Sequence, residues 1–144
     1  MGRAVALAGT HPDDRDTILQ QRPVLASCRV RMTNHELVLH DLDAYQQALA
    51  AHPRVLLFKH SPTCPISAFA REQYELWKSE RPDAPTLFVD VIGDRPVARG
   101  IAERCGVRHQ SPQAILFEQG QPVWNASHDA ITVEALHAAW APRC

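Results

Sequence analysis

The chain has 144 residues, 45% of them hydrophobic and 22% charged, which suits one domain of ordinary size built around one core. A formal net charge of −1 and a pI near 6.7 leave no basic footprint for nucleic acid or an anionic membrane, so proteins or small molecules are the expected partners. No apolar run approaches the roughly 20 residues that span a bilayer. The start MGRAVALAGTHPDDRD turns acidic too soon for an export signal, so the expected location is the cytoplasm.

Residues 1–31 mix Gly, Pro, Asp and Arg with two short apolar patches and show no sustained period. They read as an N-terminal extension, disordered or weakly docked, with an added helix packed on the domain as the other reading. Met32 stands just before the patterned region at 32–144 and leaves an alternative translation start open. LVLH at 37–40 reads as a strand. Asp41 can then cap a helix through DLDAYQQALAAH, which Pro53 ends. RVLLFKH at 54–60 is a continuous apolar run of the kind buried on both faces of a sheet.

SPTCP makes a turn into the helix ISAFAREQYELWKSE, where Ile66, Phe69, Tyr74 and Trp77 are expected on the core side. Arg71, Glu72, Glu75 and Lys78 are expected on the opposite side. TLFVDVI at 86–92 is a further buried strand, and GDRP opens a helix PVARGIAERCG that Gly106 stops. After GVRHQSP come two strands, QAILFEQG and QPVWNAS, joined at a glycine turn. Thr132 can cap a last helix, TVEALHAAW. The order β-α-β-α-β-α-β-β-α predicts an α/β fold, a mixed central sheet with helices on both faces, because parallel neighbours need crossover helices.

Four cysteines, Cys28, Cys64, Cys105 and Cys144, show neither C-x-x-C spacing nor a disulfide framework, and no His/Cys/carboxylate spacing makes a metal site. Cys64 is singled out by its surroundings. It lies between an apolar strand and a helix, where unsatisfied N–H groups and the helix dipole favour a thiolate over a thiol. Pro65 suits the first helical turn. Thr63 and Ser67 could donate hydroxyl hydrogen bonds to the sulfur, and Lys59 and His60 could add positive potential. Position 67 limits the chemistry: a second thiol there would attack a mixed disulfide and release the product, and a serine hydroxyl cannot. The reaction therefore stops at a mixed disulfide until an outside thiol, or another cysteine after movement, resolves it. Cys105 ends a helix, where a thiolate is disfavoured, and reads as structural or incidental. Cys144 reads as an exposed terminal thiol, and a regulatory bond between Cys28 and Cys64 stays open.

The phrase FKHSPTCPIS, with GVRHQSPQAILFEQGQPVWNASHDAIT downstream, closely resembles the monothiol bacilliredoxins of the YtxJ/BrxC type over about residues 35–141. That resemblance implies a thioredoxin-like fold and removal of bacillithiol from S-bacillithiolated proteins. Cys64 would be the nucleophile within the motif Thr63, Pro65, Ile66 and Ser67, bacillithiol a co-substrate with no tightly bound cofactor, and a bacillithiol disulfide reductase the recycling partner. It further implies a cis peptide at Ser111-Pro112 beside the thiol, where backbone groups could hold an extended substrate. Of eight histidines, His60, His109 and His128 fall near the expected active-site end, and Asn125 departs from a family histidine. The competing readings are a monothiol glutaredoxin-like iron–sulfur carrier, in which glycine rather than Pro65 would follow the cysteine, and a non-catalytic binding or sensor module.

Overall fold

A computed structural model describes residues 36–142; the extension at 1–31, with Cys28, and the terminal Cys144 lie outside the described residues. The elements are β1 (Glu36–Val38), α1 (Leu42–Ala51), β2 (Arg54–His60), α2 (Pro65–Glu80), β3 (Thr86–Asp90), α3 (Arg95–Cys105), β4 (Gln113–Glu118), β5 (Gln121–Ser127), a 3-10 turn (His128–Ala130) and α4 (Val133–Trp140). The sheet order is β1-β3-β2-β4-β5. β1, β3 and β2 run parallel, β4 is antiparallel to β2 and the edge strand β5 antiparallel to β4, so the sheet is mixed as expected.

Strand alternation divides the core in two. Val55 and Leu57 of β2 join Ile115 and Phe117 of β4 in a cluster with Tyr45 and Ala48 of α1 and Val97, Ala98 and Ile101 of α3. Leu56 and Phe58 join Ala114 and Leu116 in a second cluster, with Ala70, Tyr74 and Trp77 of α2 and Leu136 and Ala139 of α4. Successive side chains of a strand point to opposite faces, so an unbroken apolar run is what a strand covered on both sides needs. The single expected core is thus two, with the sheet between them.

The capping signals in the sequence are used. Asp41 accepts from the Ala44 N–H at 2.7 Å, Thr132 accepts from the Ala135 N–H at 3.1 Å, and Gly106 closes α3 in a left-handed conformation with φ 76°.

Three expectations need correction. Ile66 and Phe69 do not face the core and are 50% and 53% exposed. The buried stripe of α2 is Ser67, Ala70, Tyr74 and Trp77, steps of three, four and three that suit a 3.6-residue period. Phe69 lies about 140° around the helix from Tyr74. Lys78, expected in solvent, lays its stem along the protein and donates to Glu36 Oε2 at 2.9 Å, beside the Tyr74 hydroxyl that donates to the same oxygen at 2.6 Å. Finally, β1 ends at Val38 and β3 at Asp90, so Val91 and Ile92 turn toward α3 instead of extending the strand.

Candidate active site

The turn that presents Cys64 is built from its own sequence. The Cys64 N–H donates to the Ser61 carbonyl at 3.3 Å, closing a four-residue turn with Pro62 at its second position, where a fixed φ fits. Cys64 itself is the N-cap of α2, with φ −105° and ψ 122°, and its carbonyl accepts the first helical bond from the Ala68 N–H at 3.1 Å. Pro65 occupies the first turn, where no amide donor is needed. The cysteine side chain is half-buried.

Ser67 is placed differently from the expectation. Its side chain is fully buried; Oγ accepts from the Ser61 N–H at 2.9 Å and lies 2.9 Å from His60 Nδ1. With the amide donating to Oγ, the hydroxyl proton is free for Nδ1, an arrangement that suits a neutral imidazole. Burial and then the Arg71 charge lower the His60 pKa from its ordinary 6.5, in keeping with that assignment. Among the described residues no hydrogen bond joins Thr63 or Ser67 to the Cys64 sulfur. Thr63 stands exposed on the turn. Ser67 is a brace beneath the turn, holding Ser61 and His60 in place, and presents no group with which to resolve a disulfide.

Lys59 and His60, the two candidates for added positive potential, go to opposite faces because they are adjacent on a strand. His60 lies over α2. Lys59 is fully buried on the α1/α3 side, with Nζ 3.2 Å from His109 Nδ1. Burial brings the lysine pKa from 10.5 down to about 8, against an opposing effect of Cys105. His109 is pushed below 6.5, first by burial and then by the charges of Lys59, Arg99 and Arg95.

A cleft of about 330 Å³ opens at the sulfur, lined by Ser61, Cys64, Val91, Ile92, Arg95, Arg99, His109 and Ser111. It unites groups from the β2–α2 turn, the start of α3 and the loop before β4. The Ser111-Pro112 peptide is cis, and the Pro112 carbonyl accepts from the His128 N–H at 3.1 Å, so the loop is tied to the end of β5. Gln113, almost fully buried, steadies the same loop: Nε2 donates to the Arg108 carbonyl at 3.0 Å and Oε1 accepts from the Gln110 N–H at 3.3 Å. Cys64 and Ser111 therefore share one cleft although 47 positions separate them in the chain. His128 is exposed beside Pro112, and Asn125 is exposed on the edge strand β5, paired with Ile115.

Cys105 packs half-buried against the core cluster that contains Tyr45. It lies six positions beyond Arg99, about 9 Å of helical rise past the last α3 residue that lines the cleft. Of the five cleft residues that the sequence reading did not place there, two are charged, Arg95 and Arg99. Their i, i+4 spacing puts both on one side of α3, a signal the sequence holds, but nothing local ties that side to Cys64. Among the described residues no group of three His, Cys, Asp or Glu side chains could hold a metal, and no helix is long and apolar enough to cross a membrane.

Comparison with known proteins agrees with this geometry. The family model of the monothiol bacilliredoxin BrxC matches residues 38–136. A solved structure described as a candidate oxidoreductase with a thioredoxin fold is 36% identical, with a TM-score of 0.69 over 73% of this chain and 93% of that one. At lower identity the likeness is to the fold alone. Mitochondrial thioredoxin 3 from Saccharomyces cerevisiae is 17% identical, TM-score 0.58, covering 71% of this chain and 90% of that chain. A mutant thioredoxin from Halobacterium salinarum is 19% identical, TM-score 0.60, covering 76% and 91%. With its sheet order, its cysteine at the head of α2 and its serine three positions on, the chain belongs to the monothiol bacilliredoxin BrxC family, thiol–disulfide oxidoreductases of thioredoxin fold.

Proposed function

We propose that the protein strips bacillithiol from S-bacillithiolated proteins of the cytoplasm by a one-thiol route through Cys64. The Cys64 thiolate attacks the bacillithiol sulfur of the client's mixed disulfide. The client–bacillithiol S–S bond breaks, the client leaves as a thiolate and takes up a proton, and a Cys64–bacillithiol disulfide forms. A second bacillithiol, as thiolate, attacks the bacillithiol sulfur of that bond. Cys64 is released, and oxidised bacillithiol departs for a separate reductase.

The observation that carries this reading is the pairing of a cleft-lining Cys64 with a fully buried Ser67 whose oxygen is committed to Ser61 and His60. Nothing on α2 can displace the captured thiol, so the turnover step belongs to a small molecule that reaches the cleft. Extended client segments would lie along the Ser111-Pro112 loop, which borders the same opening.

The test is single-turnover release of a client thiol from a bacillithiolated protein, followed by intact mass. Wild-type protein is expected to gain one bacillithiol on Cys64 as the client is freed. Cys64→Ser should lower the rate at least a hundredfold, to the background of bacillithiol alone. Full activity in Cys64→Ser, or a captured thiol on Cys105 in place of Cys64, would sink the proposal.

A further inference from the structure

The cleft at Cys64 carries charge that the exchange of sulfur bonds does not call for. Arg95 and Arg99, one turn apart on α3, both line it, together with His109 and Ser111. Among the described residues neither arginine has a carboxylate within salt-bridge distance. The carboxylates on the turn before α3 are engaged elsewhere. Asp90 Oδ1 accepts from the N–H groups of Ile92 and Gly93 at 2.8 and 3.0 Å, and Asp94 Oδ2 lies 3.1 Å from His40 Nδ1.

Two further polar residues line the same cleft. His109 shares its Nδ1 with Lys59 Nζ at 3.2 Å; the ammonium can only donate, so Nδ1 is the acceptor and the ring proton resides on Nε2. Ser111 also lines the cleft, and its Oγ is buried with no hydrogen-bond partner among the described residues. A cavity of about 330 Å³ is of small-molecule size, at the lower end of known ligand pockets.

We infer that this cleft is a subsite for the carboxylate end of an anionic low-molecular-weight thiol, with Arg95 and Arg99 holding the carboxylates while the sulfur meets Cys64. This rests on the one-thiol reading above and adds to it the charge class of the small thiol. Guanidinium groups match carboxylates through paired N–H donors, and two of them at a half-enclosed site set a preference for charge. The occupant is the small thiol and not an acidic side chain of the client, because the arginines line the cleft at Cys64 itself.

The test uses three simple thiols of different charge: mercaptosuccinate with two carboxylates, neutral 2-mercaptoethanol and cationic cysteamine. Each is reacted with protein carrying a 2-thiopyridyl disulfide on Cys64, and each rate is divided by that thiol's rate with free 2,2′-dithiodipyridine, which removes intrinsic nucleophilicity. Mercaptosuccinate should then be favoured over 2-mercaptoethanol roughly tenfold, the scale of one to two partly exposed ion pairs, and cysteamine disfavoured. Arg95→Gln with Arg99→Gln should bring the mercaptosuccinate to 2-mercaptoethanol ratio down to about one. Arg95→Lys with Arg99→Lys should keep most of it. Wild-type protein with no preference, or a preference unchanged in the glutamine double variant, overturns the inference; so does a lysine variant that loses as much as the glutamine one. Because these rates involve no client and no bacillithiol, a flat charge response leaves release of bacillithiolated clients by Cys64 standing. Failure of that release leaves the charge response to be read on its own.

Discussion

At the scale of single residues, side-chain direction decides two positions near Cys64 where residue type alone does not. Ser67 has a hydroxyl three positions from Cys64, and proximity in the chain suggested a donor to sulfur. The helix turns that side chain inward to Ser61 and His60 instead. Lys59 has the type expected of a surface cation and is fully buried, paired with His109 at 3.2 Å. Its folded pKa of about 8 lies below the ordinary 10.5, so the unfolded chain binds the proton more readily. Stability should therefore rise with pH between about 8 and 10.5, and the full penalty of the buried charge is present at neutral pH. Lys59→Met should raise the urea midpoint at pH 7, by roughly 1–3 kcal/mol of stability, since apolar groups of similar volume often replace buried charges without loss. It should also flatten the alkaline rise. A lower midpoint in the variant would show that the Lys59–His109 contact outweighs the desolvation it costs.

At the scale of elements, the cap signals were legible and the packing faces were only partly so. Asp41, Pro65, Gly106 and Thr132 each mark a boundary because the chemistry of a helix end is local: one side chain or one backbone angle meets one or two neighbouring groups. The short α4 depends on such an end. Thr132 holds its Ala135 N–H, and Gln73 of α2 accepts from the Val133 N–H at 3.0 Å, so α4 is fastened to the helix that Cys64 caps. Thr132→Ala should lower stability by about 1 kcal/mol, read by urea unfolding, with little change in the Cys64 exchange rate. The core-facing side of α2 was harder to find. Its buried positions include a serine and an alanine, while Ile66 and Phe69 stand exposed, so hydrophobicity alone finds Tyr74 and Trp77 but misplaces the two apolar residues of the first turns.

At the scale of the whole molecule, the ionisable groups act together on stability. The pKa values of His60 and His109 are held below 6.5, and that of Asp90 below its ordinary 3.8, chiefly by the Gly93 N–H. In all three cases the unfolded chain binds more protons at low pH, so their contributions are present above the unfolded values and lost on acidification. Tyr45 is raised to about 12 and Tyr74 is also raised, both first by burial, which places the alkaline loss above pH 10. With Lys59, the balance predicts a stability maximum on the alkaline side of neutrality. Urea midpoints under reducing conditions should be higher at pH 9 than at pH 6; the reverse order would overturn this account.

The element order, the mixed sheet, the caps and Cys64 at the head of a helix could all be derived from the sequence alone, and so could the lack of a resolving thiol at position 67. These rest on local periodicity, on turn chemistry and on residue identity, which act over a few positions. Tertiary structure alone decided that Arg95 and Arg99 join His109 and Ser111 at Cys64, that Lys59 is buried, and that Ser67 is a brace. Those facts depend on how the β2–α2 turn, the start of α3 and the Ser111-Pro112 loop converge at one end of the sheet, a convergence set by strand order and by which face each helix covers.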